Sequence, residues 1–261
     1  MEMMCFDLHV HAMLSRAIPF KMMDLKAMVA QARSRGLNGF ALTEHINAPG
    51  YWSTYKLMQE TYQYSDGFYK IEPDFFIING AEISLMHGGD LIALGAPEAI
   101  KKMDRKLDLN KGYRPPLPDV LKAADDDLVL IGAHPFRPTG GLLKFDSSYL
   151  KRLTALEING KDYGIEVDVR KFATDLGLPV VGGSDAHYWP QIGISLTMLP
   201  IQRPDVATIK KEIAAGSAQV RRAYNAAVIV EMCEAHKKRI KEELGLPRSA
   251  NKVRQLSLNL L

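Results

Sequence analysis

Apolar residues follow two alternating patterns along most of the chain. Short continuous apolar runs, typical of buried strands, are separated by stretches with apolar residues at helical spacing. One such stretch predicts a helix that begins near Asp24 and ends at Gly36, and another predicts a helix over 169–176. The predicted strands are 4–9, 40–43, 75–84, 90–94, 128–133, 153–158, 179–182 and 193–199. Because strands and helices follow each other repeatedly, we expect a parallel α/β sheet, either open or closed into a barrel.

Three segments stand apart from this order. Strands 75–84 and 90–94 are close enough in sequence to form a hairpin through His87, Gly88 and Gly89. Segment 47–72 is rich in aromatic residues and is either a lid that stacks on a substrate ring or a locally packed helical cap. Its aromatic residues are Tyr51, Trp52, Tyr55, Tyr62, Tyr64, Phe68 and Tyr69. We expect residues 1–222 to form the barrel, and residues 223–261, with a long helix over 225–244, to pack on it.

The composition is that of a globular chain with one large core. Of its 261 residues, 47% are hydrophobic and 24% are charged, and the net charge is +3. This weakly basic balance suits an anionic substrate, whereas a nucleic-acid surface usually shows clustered Lys and Arg. The only cysteines, Cys5 and Cys233, do not make a disulfide framework. Without a signal peptide or an apolar run near the roughly 20 residues of a membrane span, we expect a cytoplasmic protein with no membrane partner.

Ionisable residues collect at the ends of the predicted strands. Six of the seven histidines lie at or just past a strand end or in the hairpin, and carboxylates accompany them. The residues are His9, His11, Glu44, His45, Glu82, His87, His134, Glu157, Asp185 and His187. In a parallel α/β barrel the carboxyl ends of all strands open onto one face, so these distant residues would converge there. Alternation along the first strand also places His9 and His11 on the same side.

Imidazole and carboxylate together are ligands for zinc, manganese or iron, and one carboxylate can bridge two ions. Paired ions about 3.5–4 Å apart clamp both oxygens of a displacement at phosphorus and lower the pKa of water from about 15.7 to about 7. Each residue alone has a simpler interpretation: His9 and His11 as ordinary polar contacts, His134 as a strand cap, Asp185 as a turn residue or helix cap. All of these would have to hold together, so the joint pattern favours metal binding.

Five short segments of the chain resemble, in order, the motifs of the polymerase-and-histidinol-phosphatase (PHP) superfamily. They are Asp7-Leu8-His9-Val10-His11, Thr43-Glu44-His45, Gly80-Ala81-Glu82, His134-Pro135 and Ser184-Asp185-Ala186-His187. The resemblance covers roughly residues 4–200. It implies a distorted (β/α)7 TIM-like barrel with two or three divalent ions at its mouth. Members of the superfamily include histidinol phosphatases, nucleotide phosphatases and the exonuclease domains of bacterial replicative polymerases.

The resemblance also implies a role for each motif residue. The first ion would be held by His9, His11, Glu82 and Asp185. Glu82 would bridge to a second ion that His134 also binds, and His45 and His187 would face a third. Asp185, His187 and Arg137 are the expected catalytic residues. Residues expected to orient a ligand or to contact the substrate phosphate are Asp7, which would hold an imidazole, Ser15, Arg16, Glu157 and Lys161.

The chain departs from the family pattern in three places. Its second motif has Glu44 where an aspartate is usual. Where members often carry an Asp or His for the third ion, this chain has Ser15 and Arg16, so Arg16 would replace the charge of that ion or bind the substrate phosphate. Members also carry a hairpin histidine that binds the second ion. Either His87 or Asp90 takes its place here.

The expected activity is hydrolysis of a small phosphomonoester, of the nucleotide, sugar phosphate or histidinol phosphate class, by a metal-bound hydroxide. Arg137 would grip the phosphate as a bidentate donor, with Lys161 as a weaker candidate. Glu157 would support the site or simply face a helix. The alternatives are a 3′–5′ exonuclease acting on nucleic acid ends, a non-catalytic PHP scaffold, and an amide hydrolase, although the carbamylated-lysine signal of amide hydrolases is missing.

Overall fold

The computed structural model describes residues 3–16, 18–138 and 141–246. Its strands form one strongly curved sheet with the order β11-β10-β1-β2-β5-β6-β7-β8-β9, and β3 and β4 extend it beside β5. The strands are β1 (Met4–Val10), β2 (Gly39–Leu42), β3 (Gln63–Ser65), β4 (Phe68–Glu72), β5 (Phe75–Ser84), β6 (Asp90–Leu94), β7 (Val129–Ala133), β8 (Ala155–Asn159), β9 (Val180–Gly183), β10 (Ser195–Leu199) and β11 (Gln219–Arg222).

The helices pack their apolar sides on the outside of this sheet. They are α1 (Met22–Ser34), α2 (Tyr51–Thr61), α3 (Pro97–Leu107), α4 (Leu117–Ala123), α5 (Ser147–Leu150), α6 (Glu166–Leu176), α7 (Val206–Ala214) and α8 (Ala226–Glu243), with a short 3₁₀ turn at Trp189–Gln191. In α1 the buried positions are Leu25, Met28, Val29 and Ala32, the helical stripe read from the sequence. Burial of that stripe accounts for the place of α1 against the barrel.

The sheet is mixed, which corrects the expectation of a parallel one. Strands β1, β2 and β5 run parallel, as do β7, β8 and β9. Strand β6 is antiparallel to both of its neighbours, and β10 is antiparallel to β1 and β11. The reason is the tight turn between β5 and β6, because a short connection can join only antiparallel strands. The expected hairpin is therefore confirmed, and it is what distorts the barrel.

The barrel nearly closes where β9 returns to β1. Val10 and Ala186 form a parallel bridge, and the backbone N–H of His11 donates to the carbonyl oxygen of Ala186 at 2.7 Å. On the other side of β9, the hydroxyl of Thr197 in β10 donates to the carbonyl of Gly182 at 3.0 Å. This closure brings the first and the last histidine motif of the sequence into contact.

The aromatic insertion packs into the core, so the lid interpretation is wrong for three of its tyrosines, which are buried. Tyr51 and Tyr55 of α2 are buried and lie 4.5 Å apart between ring centroids. Their hydroxyls donate to the carbonyl oxygen of Gly80 at 3.0 and 2.5 Å, and Tyr55 also reaches the carbonyl of Leu42 at 2.7 Å. Tyr69 of β4 is buried as well. The insertion is thus a helix and hairpin fixed to β5.

Helix α8 packs against the loops at one side of the barrel mouth. The ring of His236 stacks on Tyr188 with centroids 4.7 Å apart, and Tyr163 donates to Glu231 at 3.3 Å. Cys233 is one of the buried residues of the helix. The boundary between a barrel domain and a C-terminal helix at residue 222 stays a prediction, and residues 247–261 of the predicted tail lie outside the described part. No described helix is long and apolar enough to cross a bilayer.

Candidate metal centre

The strand ends bring most of the predicted ligands to one place. Three groups of side chains each have their ligand atoms within 4.8 Å of one another. The groups are His9, His11 and Asp185; Glu82, Asp90 and His134; and His11, His45 and His187. The contributing strands lie in the sheet order β1-β2-β5-β6-β7-β8-β9, in which β8 separates β7 from β9, and the bridge from Val10 to Ala186 brings the residues after β9 back to β1. The order of the strands in the sheet therefore brings motifs that are far apart in the sequence into one cluster.

The first group has the electronic character of a cation site. Nε2 of His9 lies 3.1 Å from Nε2 of His11, and Oδ1 of Asp185 is 3.8 and 3.5 Å from these two nitrogens. Nδ1 of His9 lies 2.8 Å from a carboxylate oxygen of Glu157, which holds the ring proton on Nδ1 and leaves a lone pair on Nε2. Lone pairs and a carboxylate that converge in this way repel one another unless a cation lies between them. The donor set therefore fits a divalent ion.

Glu82 connects the groups. Its Oε1 is 3.7 Å from Nε2 of His9 and 3.2 Å from Nε2 of His134, and its Oε2 is 3.4 Å from Nε2 of His11 and 2.7 Å from Nδ1 of His45. Burial alone would raise the pKa of Glu82, but His45 and His134 lower it well below its usual value. Glu82 is therefore an ionised, buried carboxylate shared by four imidazoles, as a bridging ligand would be.

Asp90, rather than His87, completes the second group. In the sheet register Asp90 pairs with Ser84 of β5 and with Ala133 of β7, the residue before His134. Its Oδ2 lies 3.9 Å from Nε2 of His134. His87 is exposed at the hairpin turn with φ of 67° and belongs to none of the three groups. The geometry thus favours Asp90 of the two alternatives that the sequence left open, and its role as a ligand stays a prediction.

Charged side chains of both signs face the third group. Oε2 of Glu82 lies 2.7 Å from Nδ1 of His45, and Oδ1 of Asp185 lies 3.4 Å from Nδ1 of His187. Nη2 of Arg16 lies 2.9 Å from Nδ1 of His45, and Nζ of Lys161 lies 3.2 Å from Nδ1 of His187. Burial, together with Lys161 and His11, lowers the pKa of His187 well below its usual value, so that ring is neutral. Ser15 is half-buried and belongs to none of the groups; its carbonyl oxygen accepts from the backbone of Ile18 at 2.9 Å.

Two of the clustered residues have a backbone that side chains rarely adopt. His134 has φ of 29° and Asp185 has φ of 53°, in the left-handed region. Such conformations cost free energy and persist where the surrounding structure enforces them, often at functional sites. Close packing contributes, because a Cβ at Gly183 would lie 2.6 Å from Cβ of His9. Glycine at this position lets β9 approach β1 and bring Asp185 to His9.

Glu157 and Asp7 accept hydrogen bonds from residues of the site and hold them in place. The carboxylate of Glu157 faces inward to Nδ1 of His9, and its other oxygen accepts from the backbone N–H of His134 at 2.8 Å. The carboxylate of Asp7 accepts from the backbone N–H groups of Ser184 and Gly193 at 2.8 and 2.7 Å. It holds backbone rather than the imidazole expected from the sequence. Burial raises the pKa of Asp7 to about 6.

Arg137 and Lys161 are both held by Asp185. Nη1 of Arg137 donates to Oδ2 of Asp185 at 2.9 Å, and Nη2 lies 3.2 Å from Oδ1 of Asn159 and 3.4 Å from Oδ1 of Asp162. Nζ of Lys161 lies 3.3 Å from Oδ1 of Asp185. The guanidinium of Arg137 thus donates to partners within the protein, and the role that these contacts support is to position Asp185. Its expected grip on a substrate phosphate stays a prediction.

Sequence reasoning assigned no role to several residues of the site. Oε2 of Glu44 lies 3.5 Å from Nδ1 of His11, while Oε1 accepts from the backbone N–H of Met13 at 2.9 Å, so Glu44 orients His11. Its place between the second strand and His45 was the available signal. Asn159 and Asp162 give no comparable signal, because they depend on where the loop after β8 turns.

Comparison with known proteins agrees with this architecture. Residues 168–218 match the family model described as PHP-associated. PsfC from Pseudomonas syringae PB-5123 has a similar structure, with a TM-score of 0.74 and 22% identity over 92% of this chain and 100% of PsfC. No curated protein matches the chain in sequence.

Two further solved structures are similar. The lesion-specific endonuclease PfuEndoQ from Pyrococcus furiosus has a TM-score of 0.66 and 18% identity over 84% of this chain, which spans 58% of PfuEndoQ. A two-domain protein from Bacteroides vulgatus ATCC 8482, containing a predicted PHP-like metal-dependent phosphoesterase, has a TM-score of 0.61 and 17% identity over 85% of this chain and 65% of that protein. At these identities the likeness shows the fold.

Fold and site together describe a barrel with a cluster of candidate metal ligands at the ends of its strands. The resemblance read from the sequence motifs is confirmed by the PHP-associated match and by the PHP-like structural neighbours. The chain is a PHP-fold protein. The Bacteroides vulgatus neighbour contains a predicted PHP-like metal-dependent phosphoesterase, the class that the sequence motifs also predicted for this chain.

Proposed function

We propose that the chain is an enzyme that hydrolyses a small phosphomonoester with the help of two divalent ions of zinc, manganese or iron. The observation that carries the proposal is the position of Glu82. Its two oxygens face histidines of both the first and the second group, at 3.2–3.7 Å from the Nε2 atoms of His9, His11 and His134. A buried carboxylate shared in this way suits a pair of adjacent ions.

The residues present fit that assignment. The first ion would be held by His9, His11 and Asp185, the second by Asp90 and His134, and Glu82 would join them. When bound, such ions would withdraw charge from the phosphoryl oxygens and supply an activated water at neutral pH. Because the donors are imidazoles and carboxylates, zinc, manganese and iron all suit the site.

The remaining residues of the site hold the ligands in place. Glu157 keeps the proton of His9 on Nδ1, and Glu44 faces Nδ1 of His11. Arg137 and Lys161 fix the carboxylate of Asp185 from two sides. The ligands therefore come preorganised, which reduces the cost of arranging them around ions and substrate.

A phosphodiester is the competing substrate class. PfuEndoQ is a lesion-specific endonuclease, and this chain spans 58% of its length. The same pair of ions would serve either ester, so the choice rests on what surrounds them. In this chain Arg16 and Lys161 approach the cluster from two sides, which favours a compact, doubly charged phosphate.

Phosphate release after loading with manganese, zinc or iron tests the proposal. The panel contains p-nitrophenyl phosphate, nucleoside monophosphates, sugar phosphates and histidinol phosphate, with bis-p-nitrophenyl phosphate and a single-stranded oligonucleotide as diester probes. We expect monoesters to be hydrolysed faster, and Glu82→Gln to lose at least about 10³-fold in kcat/KM. Faster cleavage of the diesters would favour the nuclease alternative, and full activity of Glu82→Gln would contradict a shared ion site.

A further inference from the structure

Helix α8 carries apolar side chains on both of its faces. The face toward the barrel holds the buried residues Ala226, Val230 and Cys233, as expected for a helix that packs on a core. On the opposite face, the side chain of Val228 is 57% exposed and that of Met232 is 68% exposed. The solvent side of a surface helix normally consists of polar residues. The outer face of α8 therefore departs from the usual pattern of a helix in contact with water.

The apolar residues of this outer face form a continuous stripe. The outer stripe consists of Tyr224, just before the helix, and of Val228, Met232 and Ala235 within it, all exposed. Residues three or four positions apart lie next to each other on one side of a helix, so these four side chains are neighbours. The ring of Tyr163, which is 46% exposed, lies beside the outer stripe, because its hydroxyl donates to Glu231 at 3.3 Å. Contiguous rather than scattered apolar surface typically marks a contact with another protein.

The two halves of α8 have opposite net charge. The first half carries the carboxylates of Glu231 and Glu234, and the second half carries Lys237, Lys238, Arg239 and Lys241 together with Glu242 and Glu243. Within the helix, Arg239 pairs with Glu243 at 3.8 Å. Glu231 and Lys238 are both exposed and, two helical turns apart, lie on the same side of the outer stripe. Antiparallel packing of two such helices places unlike charges opposite each other, whereas parallel packing in register opposes Glu231 with Glu231.

We propose that the outer stripe of α8 is the contact surface for a second copy of the chain, with the two helices packed antiparallel about a two-fold axis beside Ala235. A two-fold axis brings the same surface of both copies together, so the outer stripe is buried against itself. Glu231 and Lys238 lie at equal distances on either side of this axis, so Glu231 of each copy faces Lys238 of the other. The small side chain of Ala235 lets the helices approach closely where they cross.

The mass of the full chain in solution tests the contact. Sedimentation equilibrium at micromolar concentrations should give twice the 29.1 kDa of one chain for the wild type. Met232→Glu places a charge in the middle of the outer stripe and should yield the monomer. Met23→Glu is the matched control, because Met23 of α1 is 81% exposed and far from α8 in sequence, and it should stay dimeric. A monomeric wild type overturns the inference, and so does a Met232→Glu protein that remains a dimer.

Charge reversal tests the antiparallel arrangement. Glu231→Lys opposes two lysines and Lys238→Glu opposes two carboxylates, and the two-fold axis repeats each repulsion, so both variants should raise the dimer Kd at least about tenfold. The double variant restores the pair with its signs exchanged and should return to within about threefold of the wild type. Lys56→Glu and Glu60→Lys, an exposed pair on α2, are the matched controls and should leave Kd within about twofold. A double variant that dimerises less well than either single variant overturns the arrangement.

The dimer contact and the proposed function can be tested separately. No residue of the outer stripe belongs to the three groups of candidate ligands, and the stripe lies on the side of α8 that faces away from the barrel. A dimer that responds to the α8 variants but releases no phosphate from any ester would support the contact and contradict the proposed function. An active enzyme that sediments as a monomer would support the proposed function and overturn the contact.

Discussion

Replacing Glu157 by glutamine removes a buried charge while keeping the shape of the side chain. Three N–H groups converge on its two oxygens: Nδ1 of His9 at 2.8 Å, the backbone N–H of His134 at 2.8 Å and Nδ2 of Asn159 at 3.0 Å. Glutamine offers one acceptor oxygen and one NH₂ donor. At least one of the three donors must then face another donor.

Either orientation of the new amide disturbs a predicted ligand. If the NH₂ group faces His9, the ring must move its proton to Nε2 and lose the lone pair that points into the first group. If it faces His134, it meets a backbone N–H that cannot change its role. Groups that orient a metal-binding histidine typically contribute 10–100-fold to metal affinity, or about 1.4–2.7 kcal/mol. We expect Glu157→Gln to weaken the binding of the first ion by about that factor.

A competition titration against a chromophoric zinc chelator measures this change directly, without reference to turnover. Glu60→Gln is the matched control, because Glu60 is an exposed carboxylate of α2, and we expect its affinity to stay within twofold of the wild type. Far-ultraviolet circular dichroism shows whether the fold persists. Zinc affinity of a folded Glu157→Gln protein within twofold of the wild type would refute the role of Glu157 in holding His9.

Three further perturbations follow from the structure. Glu82→Gln should lower the metal content of the manganese-loaded protein from two ions to one or none, measured by mass spectrometry, and two retained ions would contradict its bridging role. Burial lowers the pKa of Lys237 to about 8, so the unfolded chain binds more protons than the folded chain between about pH 8 and 10.5. The free energy of unfolding should therefore rise with pH through that window. Urea denaturation of the apoprotein should show this rise in the wild type and not in Lys237→Met. Tyr55→Phe should lower the free energy of unfolding by about 1–2 kcal/mol, because the mutation removes the hydroxyl that donates to the carbonyl of Leu42. KM should stay unchanged for every substrate. A change in KM without a loss of stability would support the lid interpretation.

Local patterns were sufficient to predict most of the barrel. Strands β5 and β6 have the predicted bounds, and the other predicted strands overlap β1, β2, β7, β8, β9 and β10. Continuous apolar runs mark strands that are buried on both faces, and such runs depend on nothing distant. The strands β3, β4 and β11 were not predicted. The residues of β3 and β11 alternate between exposed and half-buried positions and lack an apolar run.

The set of candidate ligands also followed from the sequence, since metal chemistry restricts residue types and their place at strand ends. The sequence could not show which way each of these side chains points. Both His87 and Asp90 were candidates from the sequence, and the register of β6 against β7 places Asp90 beside His134 while His87 is exposed. A shift of one residue in a strand reverses its side chains, and only pairing with neighbours selects the register.

The sequence by itself therefore determined most of the elements, the class of barrel and the inventory of imidazoles and carboxylates. Only the tertiary structure decided which of them meet. Closure of β9 onto β1 brings Asp185 to His9, and the loop after β1 turns Arg16 toward His45. Such contacts join residues far apart in the chain, and their geometry is set by the packing of the whole sheet rather than by any local pattern.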